Sequence, residues 1–174
     1  MLLLRSRWVA IGAAVAVTLG FGGVRLANAT IAAGERNVFV PIVPCRVADT
    51  RPAPSTVGAR NVPLVKDDEF RIQVRGKFGN CDIAAGATAV VLNVTAVDPK
   101  GDGFLTVWPA ENLKPETSNL NFSNGQAPTP NAVTVKVDSQ GAIKVYSSAA
   151  SVNVIVDIVG YYEDHNHNDA YVAK

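Results

Sequence analysis

The chain has 174 residues, a formal net charge of +1 and two histidines. That length fits one domain with a sizeable hydrophobic core rather than several domains. The near-neutral balance excludes the basic surface that tracks phosphates, so nucleic acid is not expected as a partner.

In chain order, Arg5 and Arg7 precede an uncharged, mostly apolar run from Trp8 to Val24, and Ala27-Asn28-Ala29 follows. A basic start, an apolar middle and a small-x-small exit make a secretory signal peptide over residues 1–29, with cleavage expected after Ala29. The run approaches the roughly 17 residues of the shortest bilayer spans. A retained anchor is therefore the alternative, and the only membrane contact the sequence suggests. The Gly and Ala content and the Ala-x-Ala exit favour cleavage. Arg5, Arg7 and Arg25 would leave with the segment and move the balance from +1 to −2. About 145 residues would remain as one exported domain.

Cys45 and Cys81 are the two cysteines. An even count in an oxidising compartment predicts one disulfide, which would contribute roughly 3–4 kcal/mol by restricting the unfolded chain.

Val38–Val43 is extended and apolar, and Pro41 within it suits an edge strand or a broken one. After a Pro/Ser/Gly loop, Glu69–Arg75 alternates, with Phe70, Ile72 and Val74 on one face and Arg71, Gln73 and Arg75 on the other. In Ala87–Pro109, Thr88, Val90, Leu92 and Val94 share a core face and Val91, Asn93 and Thr95 oppose them. Asp98-Pro99-Lys100-Gly101-Asp102-Gly103 is a turn by composition, and Phe104–Trp108 is a return strand. Thr117–Phe122 predicts another strand, and Ser123–Asn131 a loop. Val133, Val135 and Val137 point inward from the next strand. Asp138-Ser139-Gln140-Gly141 is a tight-turn signal leading to Ala142–Tyr146. Ser151–Tyr162 has apolar residues on both faces, with Asn153 and Asp157 among them, so it is expected to be central. Residues 163–174 are polar and patternless, as in a mobile tail.

No window predicts a helix in the exported part. Short strands separated by turn signals about every eight to twelve residues predict an all-β domain at 36–162. An antiparallel β-sandwich, immunoglobulin-like or jelly-roll-like, is the expected form, with a barrel as the alternative topology.

The candidate chemistry is sparse. His165 and His167 both fall in the expected tail, where neither can serve as the rigidly held base of a Ser–His–Asp or Cys–His arrangement. Asp164, His165, His167 and Asp169 resemble an adventitious metal-binding tract rather than a site. Asp98–Gly103 resembles a calcium loop, but Lys100 and Pro109 occupy positions that require oxygen ligands. No catalytic residue, metal or cofactor is therefore assigned. Asp49, Glu116 and Asp157 are the carboxylates that a glycoside hydrolase would use, and nothing brings two of them together in sequence. Asp157, inside an apolar strand, needs a partner, and Arg46 or Arg51 beside Asp49 would supply one as a structural polar anchor. Trp108, on the strand face of Phe104 and Thr106, is expected to be partly exposed. With Asn119, Asn121 and Asn124 it forms the candidate ligand-binding set, and Asn93, Tyr146, Tyr161 and Tyr162 offer further amide and aromatic groups.

PCRVADTR (Pro44–Arg51), GATAVVLNVTAVDPKGDGFLTVWP (Gly86–Pro109), TSNLNF (Thr117–Phe122) and VNVIVDIVGYY (Val152–Tyr162) together resemble a repeated all-β module of secreted actinobacterial proteins. The resemblance spans nearly all of the expected exported chain. It implies a β-sandwich, single or in tandem and sometimes appended to secreted hydrolases or surface proteins. It also implies an accessory, non-catalytic role, and it brings no catalytic residue with it. The first functional expectation is a secreted module, free or wall-associated, binding a cell-wall glycan or a surface protein. The others are a carboxylate-dependent polysaccharide hydrolase and a structural coat or matrix protein.

Overall fold

A computed structural model describes residues 35–166, with side chains from 37 to 164. The signal peptide expected at 1–29 and the tail from 167 onward lie outside the described residues. In chain order the strands are β1 Glu35–Asp49, β2 Leu64–Val65, β3 Glu69–Gln73, β4 Gly76–Phe78, β5 Cys81–Ile83 and β6 Ala87–Lys100. There follow β7 Gly103–Pro109, β8 Leu120–Phe122, β9 Thr129–Lys136, β10 Ala142–Ser147 and β11 Ser151–Asn166. Among the described residues there is no helix.

The strands form two antiparallel sheets packed face to face, a β-sandwich. The first has the order β1-β11-β6-β9, with β2 pairing the start of β11; the second has the order β3-β10-β7-β8. β4 and β5 make a separate small hairpin.

Period-two alternation builds the core. Val90, Leu92, Val94 and Ala96 of β6 and Val152, Val154, Val156 and Ile158 of β11 are all buried on one face of the first sheet. Leu105 and Val107 of β7 and Ile143 and Val145 of β10 meet them from the second sheet. Each fully buried Val, Leu or Ile contributes roughly 1.5–3 kcal/mol of transfer free energy. β11 is central, paired by β1 on one side and β6 on the other. β1 is an edge strand, and its pairing slips between Pro41 and Cys45 and again between Arg46 and Ala48. A proline at the first slip fits an edge that cannot donate there.

The turns join different partners from those a hairpin reading implies. β7 does not pair with β6, nor β10 with β9, because both connections cross from one sheet to the other. The turn chemistry is local and real: Asp138 Oδ1 accepts the Ala142 N–H at 2.7 Å, and Gly141 has φ +78°. It reverses the chain with the two inner faces opposed rather than side by side. The 148–150 corner between β10 and β11 lies against the one at 101–102 between β6 and β7. A Cβ on Gly103 would sit 2.9 Å from the Ala149 Cβ, and the Phe104 N–H donates to Ser148 Oγ at 2.8 Å.

A second correction concerns the chain end. Residues 163–166, expected in a mobile tail, continue β11, with Glu163, Asp164, His165 and Asn166 paired to Val38, Asn37, Arg36 and Glu35. Main-chain bonds to a neighbouring strand hold this segment, so it needs no apolar periodicity.

Candidate functional site

The outer face of the first sheet carries one polar row across three adjacent strands. Arg46 of β1 stands opposite Asp157 of β11, and Asp157 stands opposite Asn93 of β6. Strand alternation puts them there: Leu92 and Val94 turn inward on either side of Asn93, and Val156 and Ile158 do so around Asp157. Arg46 grips Asp157 with both ends of its fork, Nε to Oδ1 at 2.7 Å and Nη2 to Oδ2 at 3.1 Å. Such bidentate pairs are directional as well as strong.

The same guanidinium reaches back to Asp49, Nη1 to Oδ2 at 3.1 Å. Asp49 has a fully buried side chain and also receives Arg51: Nη2 to Oδ2 at 2.7 Å, Nε to Oδ1 at 3.0 Å, and the Arg51 N–H to Oδ1 at 3.1 Å. Burial alone would raise the Asp49 carboxyl. The hydrogen bonds from Arg51 and the charges of Arg51 and Arg46 outweigh it, and the group lies below its ordinary value. Arg46 and Arg51 are raised, chiefly by their hydrogen bonds to Asp157 and Asp49 respectively. Two cations and two anions thus neutralise one another. Next along the chain, Thr50 Oγ1 accepts the Val154 N–H at 2.8 Å and donates to Asn153 Oδ1 at 3.2 Å, tying this segment to β11.

Beside the cluster, Cys45 and Cys81 form a disulfide with Cα atoms 5.3 Å apart. It clips the β4–β5 hairpin onto β1. The hairpin's two-residue loop begins with Gly79 at φ +58°, the positive value that a first central position of this turn class favours. The Asn80 N–H donates to Arg46 O at 2.8 Å, which covers the free edge of β1 at that residue. Asp49 and Val57 exchange main-chain bonds on the same edge. Between these pieces lies an open depression of about 430 Å³, lined by Pro44, Arg46, Val57, Asn80, Asn93, Asp157 and Val159 with Cys45.

The expected ligand-binding set lies away from this row, around β7 and β8. Trp108, expected to be partly exposed, is only 2% exposed. The chain between β7 and β8 folds back against its edge, where the indole N–H donates to Asn112 O at 3.0 Å and Thr106 Oγ1 donates to Thr117 O, and Lys144 Nζ stands over the ring, 6.0 Å from its centroid. A covered indole offers no stacking surface. Asn119 Oδ1 accepts the Val107 N–H at 2.7 Å, Asn121 Oδ1 accepts from Ser118 Oγ at 2.8 Å, and Asn124 Oδ1 accepts the Gly101 N–H at 2.8 Å. These amides brace their own chain on and around β8. Asp102 Oδ1 in turn accepts the Asn124 N–H at 2.8 Å, so the 98–103 turn is spanned by protein groups.

Glu116 lines a different hollow, with Phe104, Lys114 and Pro115. Neither Asp49 nor Asp157 borders it. Asn80 is the polar lining residue that sequence reasoning missed. Its one signal is its place after a glycine and before Cys81, which matters only once the disulfide has seated the hairpin.

No family model matches the chain, and a search of curated proteins finds no match either.

Proposed function

We propose that the chain is an exported, non-catalytic β-sandwich module that binds at the cell envelope, to a glycan or a surface protein. The observation that carries this reading is the state of the carboxylates on the outer face of the first sheet. A hydrolytic acid or nucleophile must reach the substrate and exchange protons or form a bond. Asp49 is buried beneath Arg46 and Arg51, and Asp157 is held in a two-point ion pair. Groups so engaged serve as anchors. The depression beside them is open and lined by amides, which suits recognition. The expected signal peptide, the disulfide and the resemblance to secreted modules support export.

Co-sedimentation of the purified protein with cell walls, assayed in parallel for released sugar, tests the reading. Saturable retention without product supports it. Turnover that disappears in Asp49→Asn or Glu116→Gln would instead establish a hydrolase. Assembly of the protein with itself and no retention would establish a coat or matrix protein.

A further inference from the structure

We propose that the depression bordered by Arg46, Asp157, Asn93 and Asn80 is a binding site for an uncharged, hydroxyl-rich ligand: one sugar residue of a neutral glycan. The proposal rests on the envelope-binding reading and sharpens it.

Its volume, about 430 Å³, lies in the lower part of the range of roughly 300–1,000 Å³ typical of small-ligand sites. Its charge selects against ions. Arg46 and Asp157 cancel within the depression, and Asp49 and Arg51 cancel beside it. An anion drawn to Arg46 would meet the charge of Asp157 beside it, and a cation drawn to Asp157 would meet that of Arg46.

The hydrogen-bonding inventory matches hydroxyls. Among the described residues, no side-chain hydrogen bond engages the carboxamide of Asn80 or Asn93, and each offers two N–H donors and an acceptor oxygen. Each Asp157 oxygen accepts one bond from Arg46 and keeps a lone pair. Arg46 commits three of its N–H groups and retains two. A hydroxyl both donates and accepts, so adjacent hydroxyls can donate to Asp157 while accepting from Asn93 or Asn80. Pro44, Val57 and Val159 supply apolar wall for the C–H faces of a ring.

An extended peptide fits less well. Asp157 and Asn93 lie on strands paired on both sides, and the free edge of β1 beside Arg46 is taken by the Asn80 N–H and by the Asp49–Val57 bonds, so no open ladder is available there for strand addition. The site is also pre-formed. The disulfide and the Asn80 N–H bond to Arg46 O hold the hairpin tip in place, which limits the ordering cost of binding.

The test is an NMR titration of the isotopically labelled exported protein, following the side-chain amides of Asn80 and Asn93 and the Arg46 Nε–H. The probes are soluble oligomers of glucose, galactose and mannose, with oligogalacturonate, heparin fragments and a mixed peptide digest as counterparts. Expected are saturable shifts at all three groups with a neutral oligomer, insensitive to added salt. Asn80→Ala and Asn93→Ala, both at solvent-facing amides, should each weaken binding by about five- to tenfold, the equivalent of roughly one hydrogen bond. Unchanged melting of both variants would show that the loss is local. The site is overturned if no neutral oligomer shifts these groups, if a charged oligomer or peptide is preferred, or if the double variant binds as the parent does. Cell-wall retention that survives in the double variant removes this site and leaves the envelope reading standing. Absence of wall retention in the parent removes that reading, and the site with it.

Discussion

Arg46 and Asp157, 111 residues apart in the chain, are joined by two parallel hydrogen bonds across the β1–β11 pair. Asp157 is 22% exposed and Arg46 33%, so the pair is neither free in water nor sealed in the core. Removing the carboxylate would leave a half-covered guanidinium with Asp49 alone to answer it, and the row across the sheet would lose its centre. Asp157→Ala should therefore lower stability by about 1.5–3 kcal/mol, the range for hydrogen bonds to charged groups. Asp157→Asn should recover only part of that, because it keeps the shape and loses the charge. Denaturant melts of the three proteins measure the difference, and equal midpoints would deny the pair an anchoring role.

Asp49 predicts a pH dependence. Its folded-state value lies below the ordinary 3.8. A depressed carboxyl contributes stability that is fully present above the unfolded value and lost as pH falls through the folded one. Asp68, depressed chiefly by the Val65 N–H and also by Arg60, acts in the same direction. Melting temperature should hold steady from neutrality to somewhat above pH 3.8 and fall below it. In Asp49→Asn the protein should be weaker at neutral pH, and its acid fall shallower. An identical acid profile in parent and variant would mean that the carboxylate is not what protonation releases.

That Asp157 would take a cationic partner was legible in the sequence because a carboxylate inside an apolar strand demands one, and Arg46 and Arg51 are the cations of the PCRVADTR stretch. The inward face of β6 was legible for an equally local reason, its alternation, and the central place of β11 was legible from apolar residues on both of its faces. Pairing was not. Pro99-Lys100-Gly101-Asp102 and Asp138-Ser139-Gln140-Gly141 contain residues that serve a hairpin or a corner between sheets equally well. The cover over Trp108 left no trace either, since the chain from Ala110 to Asn119 has no period and its position depends on bonds such as that from Trp108 to Asn112 O. Residues 163–166 were illegible as strand because ladder bonds to β1, not apolar side chains, hold them. The depression needs five separate segments brought together, around residues 44–46, 57, 80, 93 and 157–159, and sequence spacing carries none of that.

Trp108 provides an optical readout of that cover. Trp8 and Trp108 are the two tryptophans, so signal removal would leave Trp108 as the sole emitter. Buried at 2% exposure, it should emit at short wavelength, resist quenching by acrylamide, and be unaffected by any sugar bound at Asn93. Strong quenching in the native protein would mean that the chain between β7 and β8 does not close against the indole. A ligand-induced emission change would return Trp108 to the candidate binding residues.

Gly79 tests how the hairpin is seated. Its positive φ already disfavours a side chain, by about 1–2 kcal/mol. A Cβ there would also lie 2.6 Å from Arg46 O and 2.7 Å from Val47 O, backbone atoms that cannot swing away. Gly125, at φ +69°, has nothing within 4 Å of the same position. Gly125→Ala should therefore show the conformational cost alone, whereas Gly79→Ala should show that cost plus displacement of the hairpin from β1. The second variant should melt lower than the first. It should also let a reductant reach the Cys45–Cys81 bond sooner, because Gly79 and Asn80 close the loop that Cys81 pins to β1. Equal melting and equal reduction rates for the two variants would show that the hairpin tip is not packed on Arg46, and Asn80 would then have no fixed place across the depression from Asn93.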